Sequence, residues 1–261
     1  MPSNYAHYRF GVAALAAIPK EARKPISRFR RLYDVGLHGP DLFFYYNPLM
    51  STRVGRLGAS FHGQTGQEFF TRICRGLRLE PTEAGIAYLC GALGHYCLDS
   101  ACHPFINRMV EECPATHVQI ETEFDRFLLE KDGKLPPHTQ AIVKHLRLTP
   151  GECATVAQCY PGAAAGNIRR CVNNMAFCGK LLAAPEGPRR DALKAALGRM
   201  GEAAGGMLMT AAPDPQCSHL DGELLALYDQ ALARYPMLLA QVQDLLRKSI
   251  PLGEDFHSNF G

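Results

Sequence analysis

No apolar run in this sequence reaches the ~20 residues that a membrane-spanning helix requires. The most apolar stretch runs only from about Ala84 to Gly94. The ten cysteines include no CxxC pair, so a structural zinc site built from four thiolates has no support. Several of them fall inside apolar helical runs, which predicts buried free thiols rather than disulfides. Charge is nearly balanced, with 28 Lys+Arg against 25 Asp+Glu and a pI near 8.3, too weak a bias to indicate a nucleic-acid partner. There is no nucleotide-binding glycine loop and no GxSxG elbow, so kinases and serine hydrolases fit poorly. The opening residues MPSNYAHYRFG lack the charged-then-apolar pattern of a secretory signal. The expectation is a soluble, cytoplasmic protein.

What is present is helical periodicity. Apolar residues make up 47% and charged residues 20% of 261 residues, enough for a sizeable core and unlike a disordered chain. No segment alternates convincingly with period two, and the pattern predicts an all-α, single compact multi-helix domain over residues 1–261. Helices are expected at about 20–35, 66–77, 83–100, 115–131, 150–159, 162–183, 188–204 and 220–248. Pro81 and Thr82 should open the 83–100 helix with Thr82 as N-cap, and Pro104 should end it. Thr149-Pro150-Gly151-Glu152 reads as a capping box, and Pro236 should break the last helix. Residues 36–64, rich in Gly and aromatics, read as an irregular loop. Arg28, Arg30 and Arg31 read as a solvated face. Residues Glu254 to Gly261 are aromatic for a tail and are expected to dock on the domain.

Metal-ligand residue types concentrate in two neighbouring segments. In Gly94-His95-x3-Asp99-x3-His103-Pro104, the i, i+4 spacing puts His95, Asp99 and His103 in one stripe of a helix. In His117-x3-Glu121-x3-Asp125 the same spacing recurs. The first helix is apolar nearly all round, so its carboxylate and imidazoles need paired charge or a metal. A buried His–Asp hydrogen-bond network is the alternative for His95 and Asp99 alone; the second pair favours metal. Imidazole and carboxylate ligands without thiolate suit Zn2+, with Mn2+ or Fe2+ as alternatives. Cys97 and Cys102 fall off the stripe and read as packing thiols. Asp125 reads as a residue that orients His117 or a neighbouring ligand, and His38 as a neighbour of the ligands. His138, His145 and His219 read as surface residues. Phe43, Phe44, Tyr45 and Tyr46 either wall a pocket or pack in the core.

The pieces His7-Tyr8-x-Phe10-Gly11, Gly39-Pro40-Asp41, Phe61-His62, Gly94-His95-x3-Asp99-x3-His103-Pro104 and His117-x3-Glu121 occur in one order. In that order they resemble the zinc-dependent phospholipase C family, whose helical fold the single-strand-specific zinc nucleases share. The likeness covers mainly residues 5–125. It implies a metal cluster in an interhelical cleft holding two or three Zn2+ ions: Asp41, His62, His95 and Asp99 on the first, and His103, His117 and Glu121 on the second. Asp99 would bridge to a third ion, also held by His7. In secreted members an N-terminal tryptophan completes that third site; this sequence has no tryptophan, and six residues precede His7. His103 also follows Asp99 at a shorter spacing than in well-known members. The resemblance implies a phosphoric ester hydrolase that cleaves a phosphodiester or a phospholipid headgroup bond, with Asp41 as ligand and base. Its partner would be a small-molecule or lipid phosphodiester, with peripheral membrane contact left open and no nucleic acid. A single-strand nuclease, and a diverged relative that binds metal without this chemistry, are the other readings.

Overall fold

The computed structural model describes residues 4–79 and 82–261, and every regular element among them is helical. Twelve α-helices and four short 3-10 turns follow one another. They are α1 (Asn4–Ala17), α2 (Lys20–Arg28), α3 (Arg30–Gly36), α4 (Arg53–His62), α5 (Gly66–Leu79) and α6 (Glu83–Glu112). After these come α7 (His117–Lys131), α8 (Pro150–Cys159), α9 (Ala165–Leu182), α10 (Pro188–Arg199), α11 (Glu202–Gly205) and α12 (Asp221–Lys248). No helix of the described residues is long and apolar enough to cross a membrane. All ten cysteines are free, and eight are buried.

Helix α6 is the axis of the domain. It is buried on nearly every side from Ala87 to Asp99, as its uniformly apolar sequence requires, and α1, α2, α3 and α12 pack around it. Contact with α3 is backbone-close because Gly36 faces Tyr88 and Gly91 faces Tyr33; a Cβ at Gly36 would come within 2.5 Å of the Tyr88 carbonyl. That closeness brings the 3-10 turn after α3 (Gly39–Tyr45), with Asp41, onto the flank of α6. The expected caps form: the hydroxyls of Thr82 and Thr149 accept from the backbone N–H of Gly85 and Glu152, and Thr116, not among the expected caps, accepts likewise from Gln119. The Thr149–Glu152 box is reciprocal. Pro81, expected to open α6, lies outside the described residues.

Elsewhere the structure corrects the pattern. Helix α6 runs through Pro104 to Glu112, because Ile106 and Met109 are buried beyond it and packing outweighs one lost backbone bond. Helix α12 likewise passes Pro236, with Leu238, Leu239, Val242 and Leu245 buried. The segment at 20–35 is two helices, divided at Phe29, and that at 188–204 is divided at Gly201. Residues 36–64 are not an irregular loop: they hold the Gly39–Tyr45 turn and α4, whose cap Thr52 accepts from Gly55 N–H. Helix α1 was not among the expected helices. Its start is satisfied from a distance, as the Asp125 carboxylate of α7 accepts from the N–H groups of Tyr5 (2.9 Å) and Ala6 (2.7 Å).

Candidate metal centre

Two groups of ligating side chains meet where α1, the Gly39–Tyr45 turn, α6 and α7 converge. His7, Asp41, His95 and Asp99 have ligand atoms within 4.8 Å of one another, and so do His103, His117 and Glu121. Asp99 joins the groups. Its Oδ2 lies 3.0 Å from His95 Nε2, and its Oδ1 lies 3.2 Å from His7 Nε2 and 3.7 Å from His103 Nε2. Glu121 Oε1 stands 3.3 Å from His103 Nε2 and 3.5 Å from His117 Nε2. His62, at the end of α4, joins through Asp41, with 2.6 Å between Nε2 and Oδ1. The expected ligands are therefore assembled as two groups among the described residues, with His7 in the first group and no separate third one.

The imidazoles have a common orientation. His62 Nδ1–H is directed at the Gly58 carbonyl (3.0 Å), His117 Nδ1–H at Asn107 Oδ1 (3.2 Å), and His103 Nδ1–H at the Phe260 carbonyl. A donated Nδ1–H turns Nε2 of each of these rings toward the carboxylates, the orientation that outer partners impose on metal-binding histidines. The remaining atoms are orphaned in a way that fits metal rather than a hydrogen-bond network. His95 is fully buried, yet neither ring nitrogen makes a hydrogen bond, and Asp99 Oδ2 makes none either despite lying 3.0 Å from His95 Nε2. Buried polar atoms left unpaired each cost about 1–3 kcal/mol, and an ion placed between such atoms removes that cost. The residues present fit one.

Electrostatics lead the same way. Burial alone would raise the Asp99 carboxyl and lower His103 and His62. The imidazoles of His95, His103 and His7 instead hold Asp99 well below the usual carboxylate range. Asp99 and Glu121 hold His103 up at about 10, and Asp41 holds His62 at about 9. Glu121 is likewise kept below its ordinary value, against burial, by His103 and His117. Asp99 and Glu121 stay charged at neutral pH and hold a proton on His103, as Asp41 does on His62; a cation bound at Nε2 would take the place of those protons.

Asp125 acts on a neighbouring ligand: it accepts from the backbone N–H groups at the start of α1 and so sets the position of His7, one residue beyond Ala6. Several expectations need correction here. His145 and His138 are buried, not on the surface. His145 stacks on Tyr8 and shares a 2.8 Å Nε2–Nε2 contact with His38, itself fully buried; burial pushes His145 down to about 4, so the pair is neutral. His219 is exposed. Phe43 and Tyr45 are core residues, whereas Phe44 packs its ring on His62 at 5.3 Å. Asn107 is a contributor that the sequence reading passed over, although it continues the 95, 99, 103 stripe by another four residues.

Gly39 explains how the turn comes so close to His95. Its φ of +46° is a backbone conformation that disfavours other residues, and an added Cβ would overlap the His95 ring. Comparison with protein-family models, with curated proteins and with solved structures returned no match, so the geometry of these side chains carries the functional reading by itself.

Proposed function

We propose that this chain is a zinc-dependent phosphoric ester hydrolase, similar to the zinc-dependent phospholipase C family, acting on a phosphodiester or phospholipid headgroup bond. The observation that supports this most is the joining of two ligand groups through Asp99 in one buried cleft. Asp41, His62, His95 and Asp99 would hold one ion and His103, His117 and Glu121 another, with His7 and Asp99 available to a third. The set contains no thiolate and mixes imidazole with carboxylate, which suits Zn2+ among common divalent ions. Bound divalent ions supply Lewis acidity, acidifying a water, polarising phosphoryl oxygen and neutralising a leaving alkoxide.

The chain's own residues supply the rest. Asp41 is 2% exposed and held between His62 and His95, so its carboxylate is fixed and poorly solvated, placed to take up the proton of the attacking water. Gly58 and Asn107 hold the imidazoles of His62 and His117 in one tautomer by accepting from Nδ1–H. A lipid substrate is favoured by the surface beside His62. Exposed Leu49 and Met50 line, with Phe44, a groove of about 520 Å3, and the Phe44 ring reaches from that groove to His62.

The test is a panel of phosphodiesters, from bis(4-nitrophenyl) phosphate to phosphatidylcholine, assayed with the zinc-reconstituted protein. The expected result is turnover that a chelator abolishes and zinc restores. Tight zinc binding with no turnover across the panel would leave a metal-binding protein of other chemistry.

A further inference from the structure

The segment Leu252–Gly261 lies across the ligand cluster. Its two rings are completely buried although the residues between them are exposed: Phe256 and Phe260 are each 0% accessible, while His257, Ser258 and Asn259 face solvent. Phe260 fits among Phe69 (4.8 Å between centroids), Tyr96 (5.1 Å), His62 (5.5 Å) and His95 (5.7 Å). Phe256 packs on Phe70 and stacks on Tyr96. The backbone is fastened at few points. Gly66 N–H donates to the Ser258 carbonyl (2.8 Å), Tyr96 Oη donates to the Asp255 and Ser258 carbonyls (both 3.1 Å), and Phe260 N–H reaches the His62 carbonyl (3.4 Å). The Phe260 carbonyl accepts from His103. On α12, Gln241 accepts from Gly253 N–H (3.0 Å) and donates to Asp255 (3.2 Å), beside a half-exposed ion pair, Arg234–Asp255 at 3.0 Å.

So placed, the segment puts the Phe260 ring against both His62 and His95. An aromatic ring occupies the space between a ligand of α4 and a ligand of α6, where an incoming phosphoryl group would have to approach both. Exposed polar residues held by two buried rings, with few backbone bonds, are the attachments of a segment that can detach as a unit at modest cost.

We propose that Leu252–Gly261 is an intramolecular strap that closes the metal cleft and must leave it before a substrate can enter. The proposal rests on the hydrolase reading for what enters, but the covering itself does not depend on it. Gly261 is what lets the strap reach His103. Its φ is +122°, and any Cβ there would overlap the His103 ring.

Two full-length variants test this, Phe260→Ala, which removes the anchor, and Gly261→Val, which keeps both rings but cannot seat. Hydroxyl-radical footprinting of the metal-free protein reads the covering, and turnover of a small phosphodiester after zinc loading reads the gating. The expected result is several-fold stronger labelling of His62 and Phe69 in both variants, with zinc stoichiometry unchanged. In the zinc-loaded variants, kcat/KM should rise about tenfold, the ratio for a site closed some 90% of the time. Unchanged labelling overturns the strap. Stronger labelling accompanied by lost zinc or lower turnover also overturns it, making the segment part of the metal site instead. Stronger labelling and intact zinc with no turnover in any form keeps the strap and overturns the hydrolase reading.

Discussion

Asp41→Asn should lower phosphodiester turnover by about 10^3-fold while leaving zinc bound. General acid–base groups contribute about 10^2–10^4-fold, and the hydrolase proposal gives Asp41 that role on the strength of its position. Its carboxylate is 2% exposed, lies 2.6 Å from His62, and stands 3.7 Å from His95. Asparagine keeps the shape and one oxygen donor, so an ion at the first group retains an oxygen ligand from this position; what is lost is the capacity to accept a proton. The measurement is kcat at saturating zinc, together with zinc content of the same sample. Loss of turnover together with loss of zinc would reduce Asp41 to a ligand, and full turnover in the variant would remove it from the chemistry.

Asp99→Ala should weaken zinc binding by at least about 10^2-fold, since losing even an outer partner of a metal ligand costs 10–100-fold. Asp99 approaches imidazoles of both groups, at 3.0 Å from His95, 3.2 Å from His7 and 3.7 Å from His103. Its removal leaves His95 and His7, both buried, facing a vacancy in charge as well as in space. The measurement is competitive titration against a chelator of known affinity. A structural His–Asp network predicts a different result, namely a stability loss of about 3–5 kcal/mol from a broken buried pair, with no zinc affinity to lose in either protein.

Much of this centre was legible because local chemistry and spacing determine it. The i, i+4 stripe of His95, Asp99 and His103 inside an apolar helix required a buried polar site, and α6 is buried there. The helix expected at 115–131 forms as α7, with His117 in its first turn and Glu121 one turn on. The failures share a physical cause, which is that tertiary contacts decided the outcome. Helix α1 is capped by Asp125, 119 residues distant from Ala6, and no local pattern encodes that. Pro104 and Pro236 are carried within helices by the burial of the residues after them. The glycines at Gly55 and Gly58 disguised α4, though the Thr52 cap was available as a signal. His145 reads as a surface residue until the fold stacks it on Tyr8 and pairs it with His38. The aromatic segment at 254–261 was expected to dock, but its position on His62, His95 and His103 could emerge only from the assembled domain.

The central claim is that the joined His/carboxylate groups form a polynuclear metal centre. Elemental analysis paired with native mass spectrometry, on protein resupplied with zinc at neutral pH, tests it most directly, with His95→Ala as the comparison. The account predicts two or three zinc ions per folded wild-type chain and fewer in the variant. A folded wild-type chain that holds no metal after resupply would contradict it, leaving His95 and Asp99 as a buried hydrogen-bonded network.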